Sequence, residues 1–181
     1  MRVIAGSARG RRLFSPSGTD VRPTADRIRE ALFSSFGDRV AGALFLDLFC
    51  GTGAVGVEAL SRGAKHAAFV DNSRECAAIV EKNLTHTGFA GVGEIICGDA
   101  LQAIRGRLRG RAFDITYLDP PYDRGMMLPA LRELIDCGVV SGGGLVAAEY
   151  GASEDITCPP GYEIYKQKNY RLARIVFYGV I

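Results

Sequence analysis

Apolar positions change rhythm twice along the chain. Near the start, Arg2–Gly6 and Arg11–Phe14 alternate over a few residues on either side of Ser7–Gly10, which predicts two short strands in a hairpin. From Pro23 the spacing becomes helical. Ile28, Ala31, Leu32, Ser35 and Phe36 fall on one face of a helix over 25–36, with Thr24 as a candidate cap and Gly37 as its stop. After Gly42 short apolar runs alternate with helical stretches: 44–49, 67–70, 94–97, 113–118 and 144–149 read as strands, with helices over 54–62, 73–86 and 127–136 and another after Asp99. Near-continuous apolar strands separated by helices predict a parallel sheet covered on both faces. The runs 162–168 and 172–178 follow each other with no helix between, which predicts an antiparallel pair at one edge. The expected fold is therefore α/β: a mostly parallel, seven-stranded, doubly wound sheet. Residues 1–40 form a hairpin-and-helix extension, 41–181 the core, and the whole a single domain.

Composition narrows the classes. The chain has 181 residues, 48% hydrophobic and 23% charged, which suits one globular domain. A net charge of +2 gives no global basic field. Residues 1–30, however, carry Arg2, Arg9, Arg11, Arg12, Arg22, Arg27 and Arg29 against Asp20, Asp26 and Glu30. Two readings stand: a phosphate-contacting surface, since guanidinium pairs with phosphate bidentately, or a solvated basic face. Five scattered cysteines without a C-x-x-C pair point away from a disulfide framework or zinc site and toward a reducing compartment. Cys97, in an apolar run, is expected in the core. No apolar stretch reaches membrane-spanning length and no signal-peptide pattern opens the chain, so a cytoplasmic protein with no membrane partner is expected. His66 and His86 stand beside no nucleophile or metal-ligand pattern, and no metal is expected.

The chemistry gathers at strand ends, where open α/β sheets bind ligands. Asp47-Leu48-Phe49-Cys50-Gly51-Thr52-Gly53 closes the first core strand, and Gly51-x-Gly53-x-x-Gly56 lets the backbone approach a ligand at a helix N-terminus. Asp71 stands 20 residues after Gly51, as in a dinucleotide fingerprint. That spacing alone fits a nicotinamide-dependent oxidoreductase as well as a methyltransferase. Asp47 tips the balance, because a carboxylate there suits the cationic amino group of a methionine moiety and offers a pyrophosphate nothing. Asp71 suits ribose hydroxyls. Asp99 suits an adenine amine or a helix N-cap, and the two roles can coexist. Asp119-Pro120-Pro121-Tyr122 places a carboxylate and the Pro120 carbonyl in a stiff cluster beside an aromatic ring. Such acceptors hold the N–H groups of an exocyclic base amine, and the ring stacks the base.

Asp119–Tyr122, together with Asp47-x-Phe49-x-Gly51-x-Gly53, resembles the amino-methyltransferases of nucleic-acid bases, which share a Rossmann-like S-adenosylmethionine fold. Arg2–Gly6, Arg9–Leu13, Arg22-Pro23-Thr24, Asp26-Arg27, Arg29–Phe33 and Gly56-x-Glu58-Ala59-Leu60-Ser61-Arg62-Gly63-Ala64 are similar to the RsmD family over essentially the whole chain. Members of that family are bacterial 16S rRNA guanine-N2 methyltransferases acting on assembling small subunits. The resemblance implies S-adenosylmethionine as cofactor, held by Asp47, Phe49, Gly51, Thr52, Gly53, Asp71, Asn72, Asp99 and Ala100. It implies Asp119, Pro120, Pro121 and Tyr122 as the catalytic set. It implies 16S rRNA in the small subunit as partner, and places Arg22, Thr24, Arg27 and Arg29 near the cofactor mouth and RNA entry without deciding which arginines touch phosphate and which brace the cofactor loop. The hairpin with Arg9, Arg11 and Arg12 is the expected RNA-engaging extension, and a monomer is expected. For Asp26, Arg29 and Glu30, helix-surface ion pairing is the competing reading. DNA adenine-N6 or cytosine-N4 methylation is the alternative function, since each target is an exocyclic amine. One departure stands out: Tyr170 is followed by Arg171 where the family carries Tyr-Gly.

Overall fold

The computed structural model describes residues 1–16, 23–121 and 124–181, and the side chains of 23–25 lie outside it. In chain order the elements are α1 (Pro23–Phe36), a 3-10 turn (Gly37–Val40), β1 (Leu44–Leu48), α2 (Ala54–Ser61), β2 (His66–Asp71), α3 (Arg74–Thr87), β3 (Gly93–Cys97), α4 (Ala100–Arg105), β4 (Phe113–Leu118), α5 (Met127–Asp136), β5 (Val140–Gly151), β6 (Tyr162–Asn169) and β7 (Ala173–Val180). The sheet runs β3-β2-β1-β4-β5-β7-β6. β1 through β5 pair in parallel, and β7 lies antiparallel to both β5 and β6. The strand order reverses between β1 and β4, so a crevice opens beyond their carboxyl ends.

Two apolar cores cover the sheet. On one face α1, α2 and α3 contribute Leu32, Phe33, Phe36, Val57, Leu60, Val80 and Leu84 over Phe45, Ala67 and Phe69. On the other, α4 and α5 contribute Ile104, Leu131 and Leu134 over Leu46, Val70 and Leu118. Aromatic edges fix α1: Phe36 meets Phe45 and Phe177 at ring distances of 6.2 and 6.0 Å. Close backbone approach fixes α2, since a Cβ on Gly56 would lie 2.2 Å from the Phe69 ring.

Several expectations change. The N-terminal segment folds back on itself, but only one antiparallel bridge, Arg2 with Arg12, forms. Its two arms are joined by Val3 N–H to the Arg11 carbonyl at 3.0 Å, Gly10 N–H to the Val3 carbonyl at 2.9 Å and Leu13 N–H to the Met1 carbonyl at 3.0 Å, and its other bonds go to the core. Ile4 and Ala5 donate to the Glu58 carboxylate at 2.8 and 3.0 Å, and Ala8 donates to Ser61 Oγ at 3.0 Å. Gly6, at φ +82°, lies so close to α2 that a Cβ would sit 1.7 Å from the Ser61 carbonyl oxygen. Helix α1 starts at Pro23, a favoured first position, so Thr24 lies inside the helix rather than capping it. Cys97 is exposed rather than in the core. It ends β3, which is an edge strand, and its neighbour Ile96 takes the buried position. The β6–β7 turn at Arg171 closes with the Tyr170 N–H on the Ala173 carbonyl at 2.8 Å. No left-handed residue is used there, so no glycine is required.

Candidate active site

Strand alternation builds the site. β1 pairs Asp47 with Tyr117 of β4, and β4 pairs Tyr117 with Ala147 of β5. Side chains two residues apart share a face. Asp47, Tyr117, Asp119 and Glu149 therefore collect on the α1 side of neighbouring strands, at their carboxyl ends.

The loop after β1 is held by carboxylates. Asp47, 1% exposed, accepts the Gly56 N–H at 2.8 Å. Asp71 accepts the Gly51 N–H at 2.8 Å and the Ser73 N–H at 2.9 Å, so the 20-residue spacing is realised as a direct contact. Phe49 sits at φ +66°, a left-handed conformation rare for an aromatic residue and costing on the order of 1–3 kcal/mol. Gly51 and Gly53 follow at φ +52° and +73°. A Cβ on Gly51 would meet nothing within 4 Å, so the turn leaves open room for a ligand. Asn83 on α3, fully buried, donates to the Thr52 carbonyl at 2.9 Å. It also exchanges hydrogen bonds with both backbone groups of Phe14, tying the extension to the glycine turn.

Two cavities of about 360 and 460 Å³ adjoin this loop, and both are walled by Phe49 and Asp119. The smaller takes in Asp71, Asn72, Asp99, Ala100, Pro120 and Pro121. The larger takes in Asp47, Gly51, Thr52, Arg29, Tyr117 and Glu149, with Leu172 of the β6–β7 turn at its rim. Asp99 caps α4 by accepting the Gln102 N–H at 2.9 Å while lining the smaller cavity, so the cap does not exclude contact with a ligand.

Burial raises Asp47 to about 7, reinforced by the charge on Asp71 and offset in part by the Gly56 N–H. Asp119 is pushed well above the usual carboxylate range, first by burial and then by the negative charges of Glu149 and Asp47. In both, burial is the chief cause and a neighbouring carboxylate adds to it. Among the described residues no group of three or more His, Cys, Asp and Glu side chains could hold a metal ion.

The chain belongs to the RsmD family. The family model described as conserved hypothetical protein 95 matches residues 1–179. YlbH of Bacillus subtilis is 35% identical, covering 98% of each chain. Ribosomal RNA small subunit methyltransferase D of Escherichia coli strain K12 is 32% identical, over 93% of this chain and 84% of its own. The solved structure of yhhF from Escherichia coli superposes with a TM-score of 0.88 at 31% identity, covering 99% and 97% of the two chains. Membership brings the Rossmann-like fold and the methyltransferase class, as the sequence motifs implied.

Asp47, Phe49, Gly51, Thr52, Asp71, Asn72, Asp99, Ala100, Asp119, Pro120 and Pro121 all line the paired cavities, whereas Gly53 caps α2 behind them at its left-handed φ. Arg22 and Tyr122 lie outside the described residues, as does the side chain of Thr24. Arg9 and Arg27 share a groove of about 340 Å³ with Arg2, between the N-terminal segment and α1. Arg11 is exposed and donates to the His86 carbonyl at 2.6 Å, and Arg12 is exposed nearby. Arg29 is not a surface ion-pair residue. It is 4% exposed, donates to the Arg2 carbonyl at 2.5 Å, pairs with Asp26 at 3.0 Å and lines the larger cavity. Sequence reasoning missed Glu149. It lies in β5, two residues before that strand ends, beside the strand that leads to Asp119.

Proposed function

We propose that this chain is an S-adenosylmethionine-dependent enzyme that methylates the exocyclic N2 amine of a guanine in 16S rRNA of the small ribosomal subunit, acting as a cytoplasmic monomer. The observation that carries this reading is the row of carboxylates lining the two cavities, Asp47 and Glu149 buried and Asp119 in the wall of both. Bound S-adenosylmethionine supplies an electrophilic methyl on a sulfonium centre. Asp47 would face its cationic amino group, Asp71 and Asn72 its ribose, and Asp99 and Ala100 its adenine, with Phe49, Gly51, Thr52 and Gly53 forming the cradle. A pyrophosphate in the same cradle would face the buried Asp47 charge, which disfavours a nicotinamide dinucleotide.

Asp119 and the Pro120 carbonyl would take the base's amine N–H groups as acceptors, turning the nitrogen lone pair toward the methyl. The amine nitrogen would take that methyl, the sulfur keeping the electron pair of the bond it loses, and Asp119 would accept the proton released from nitrogen and pass it to solvent. Tyr122 would stack the base, and Arg9, Arg11, Arg12, Arg22 and Arg27, with Thr24 nearby, would track RNA phosphates. The test is methyl transfer from labelled cofactor to small subunits lacking the modification, with nucleoside mass analysis. N2-methylguanosine supports the reading. Label in DNA alone would replace it with adenine or cytosine methylation.

Two predictions arise here. Asp47 is protonated below about pH 7 in the free protein, whereas the cationic ligand favours its ionised form. Cofactor affinity should therefore be flat above that pH and fall about tenfold per unit as pH drops below it. Titration calorimetry in two buffers should register one proton released per ligand bound near pH 6, and Asp47→Asn should remove that release. Separately, Arg11→Ala combined with Arg12→Ala should weaken RNA binding and lower the salt slope of log K by about 1–2. A slope equal to wild type would remove these two arginines from the RNA interface.

A further inference from the structure

The larger cavity has a carboxylate on its wall, Glu149, that neither cofactor binding nor methyl transfer uses. We propose that Glu149 is the specificity-determining residue for guanine, accepting the ring N1–H while Asp119 holds the adjacent N2 amine. The inference rests on the methyltransferase reading above and adds to it the basis of base choice.

Position comes first. β4 and β5 pair Leu118 with Ala148, so Asp119, just past the end of β4, stands level with Glu149, two residues before the end of β5, on neighbouring chains whose spacing is about 4.8 Å. Both line the larger cavity. Glu149 is 9% exposed, and the Tyr117 hydroxyl donates to its Oε2 at 2.8 Å. Tyr117 is itself buried, and its hydroxyl is held well above its ordinary pKa by burial and the surrounding carboxylates, so it stays a donor. Glu149 is thus fixed by a neighbouring strand rather than free to swing. Across the sheet the order is Asp47, Asp119, Glu149, which matches cofactor, amine and base edge in sequence.

Chemistry then selects the base. Three nucleobases carry an exocyclic amine. In guanine one of the two ring nitrogens flanking the amine is N1–H, a donor, and the other, N3, is bare. In adenine and cytosine the corresponding ring nitrogen is bare, an acceptor. An ionised carboxylate only accepts. Level with Asp119, Glu149 pairs with guanine's N1–H and sets its lone pairs against those of adenine or cytosine. A buried group left facing the wrong partner discriminates far more strongly than a difference of shape. The motif Asp119–Tyr122 grips any exocyclic amine, so base choice has to come from a second group such as this one.

The probe is 2-aminopurine, which keeps the amine at C2 and lacks the N1–H. Small-subunit rRNA carrying guanine or 2-aminopurine at the mapped target position is offered to wild type, Glu149→Gln and Glu149→Ala, and kcat/KM is read for each pair. Wild type should prefer guanine by about 100-fold or more. Glu149→Gln, whose amide can donate to a bare ring nitrogen, should shrink that preference about tenfold or more. The change should come from a slower guanine reaction and an equal or faster 2-aminopurine reaction, with binding of S-adenosylhomocysteine unchanged. Equal losses on both substrates would overturn the proposal and leave Glu149 a structural partner of Tyr117. Wild type accepting both bases equally would overturn it without any variant. The guanine product of wild type separately decides the parent reading: absence of N2-methylguanosine defeats that reading, whereas its presence with an unchanged preference in both variants defeats only this one.

Discussion

Asp119→Asn is expected to lower the rate of methyl transfer by about 100- to 1000-fold while leaving cofactor affinity within about threefold. Asparagine keeps the shape of the side chain and one acceptor oxygen but loses the charge. An exocyclic amine is a weak nucleophile because its lone pair is shared with the ring. Its nitrogen becomes positive as the methyl arrives, so a carboxylate helps most at the transition state. In the free protein Asp119 is held well above the ordinary carboxylate range by burial, Glu149 and Asp47. A sulfonium and a cationic amino group in the adjoining space would reverse part of that shift and ionise Asp119 when both reactants are bound. Single-turnover transfer measures the first quantity, and calorimetric binding of S-adenosylhomocysteine the second. Equal losses in both would move Asp119 from the reacting amine to the cofactor, which its place in the wall of both cavities also permits.

Much of this site was legible because of how a doubly wound sheet is read. Parallel strands buried on both faces appear as unbroken apolar runs, so β1, β2, β3 and β4 end within two residues of where the hydrophobicity stops. Asp47, Asp71, Asp99 and Asp119 then stand out as the polar residues at or just past those stops. β5 hid Glu149 for the opposite reason. The strand runs twelve residues to Gly151, so Glu149 lies inside an element rather than after it. Arg29 was hidden by local ambiguity. Asp26 and Arg29 at i and i+3 look the same on an exposed helix face as on a buried one. Only the docking of the N-terminal segment, a contact across more than fifty residues of sequence, decides that this arginine is inside. The N-terminal hairpin closes with only a few cross-arm bonds, and its docking on α2 through Glu58 and Ser61 is a long-range contact of the same kind.

Glu58→Ala should accordingly be among the most destabilising single changes outside the apolar cores. Its side chain is fully buried, accepts the N–H groups of Ile4 and Ala5, pairs with Arg62 Nε at 2.7 Å and lies 3.8 Å from Arg29 Nε. Removing the carboxylate leaves Arg29 short of a countercharge in the interior, a loss of about 3–5 kcal/mol for a buried pair. In a chain of this size that lowers the melting temperature by roughly 6–20 °C. Arg62→Ala serves as the comparison: its side chain is 24% exposed, and Glu58 would keep Arg29 and the N–H groups of Ile4 and Ala5, so its loss should cost less than that of Glu58. Gly6→Ala reaches the same junction without touching a charge, because its Cβ would collide with the Ser61 carbonyl. If the segment docks through Glu58 as a unit, both Glu58→Ala and Gly6→Ala should expose residues 2–14 to amide exchange and weaken RNA binding through Arg9 and Arg27. Cofactor binding, proposed at the opposite end of α2, should change far less. A melting temperature within 2–3 °C of wild type for Glu58→Ala, about 1 kcal/mol, would mean that water replaces the carboxylate at little cost and that the apolar contacts of Val3, Ala8 and Leu13 hold the segment instead.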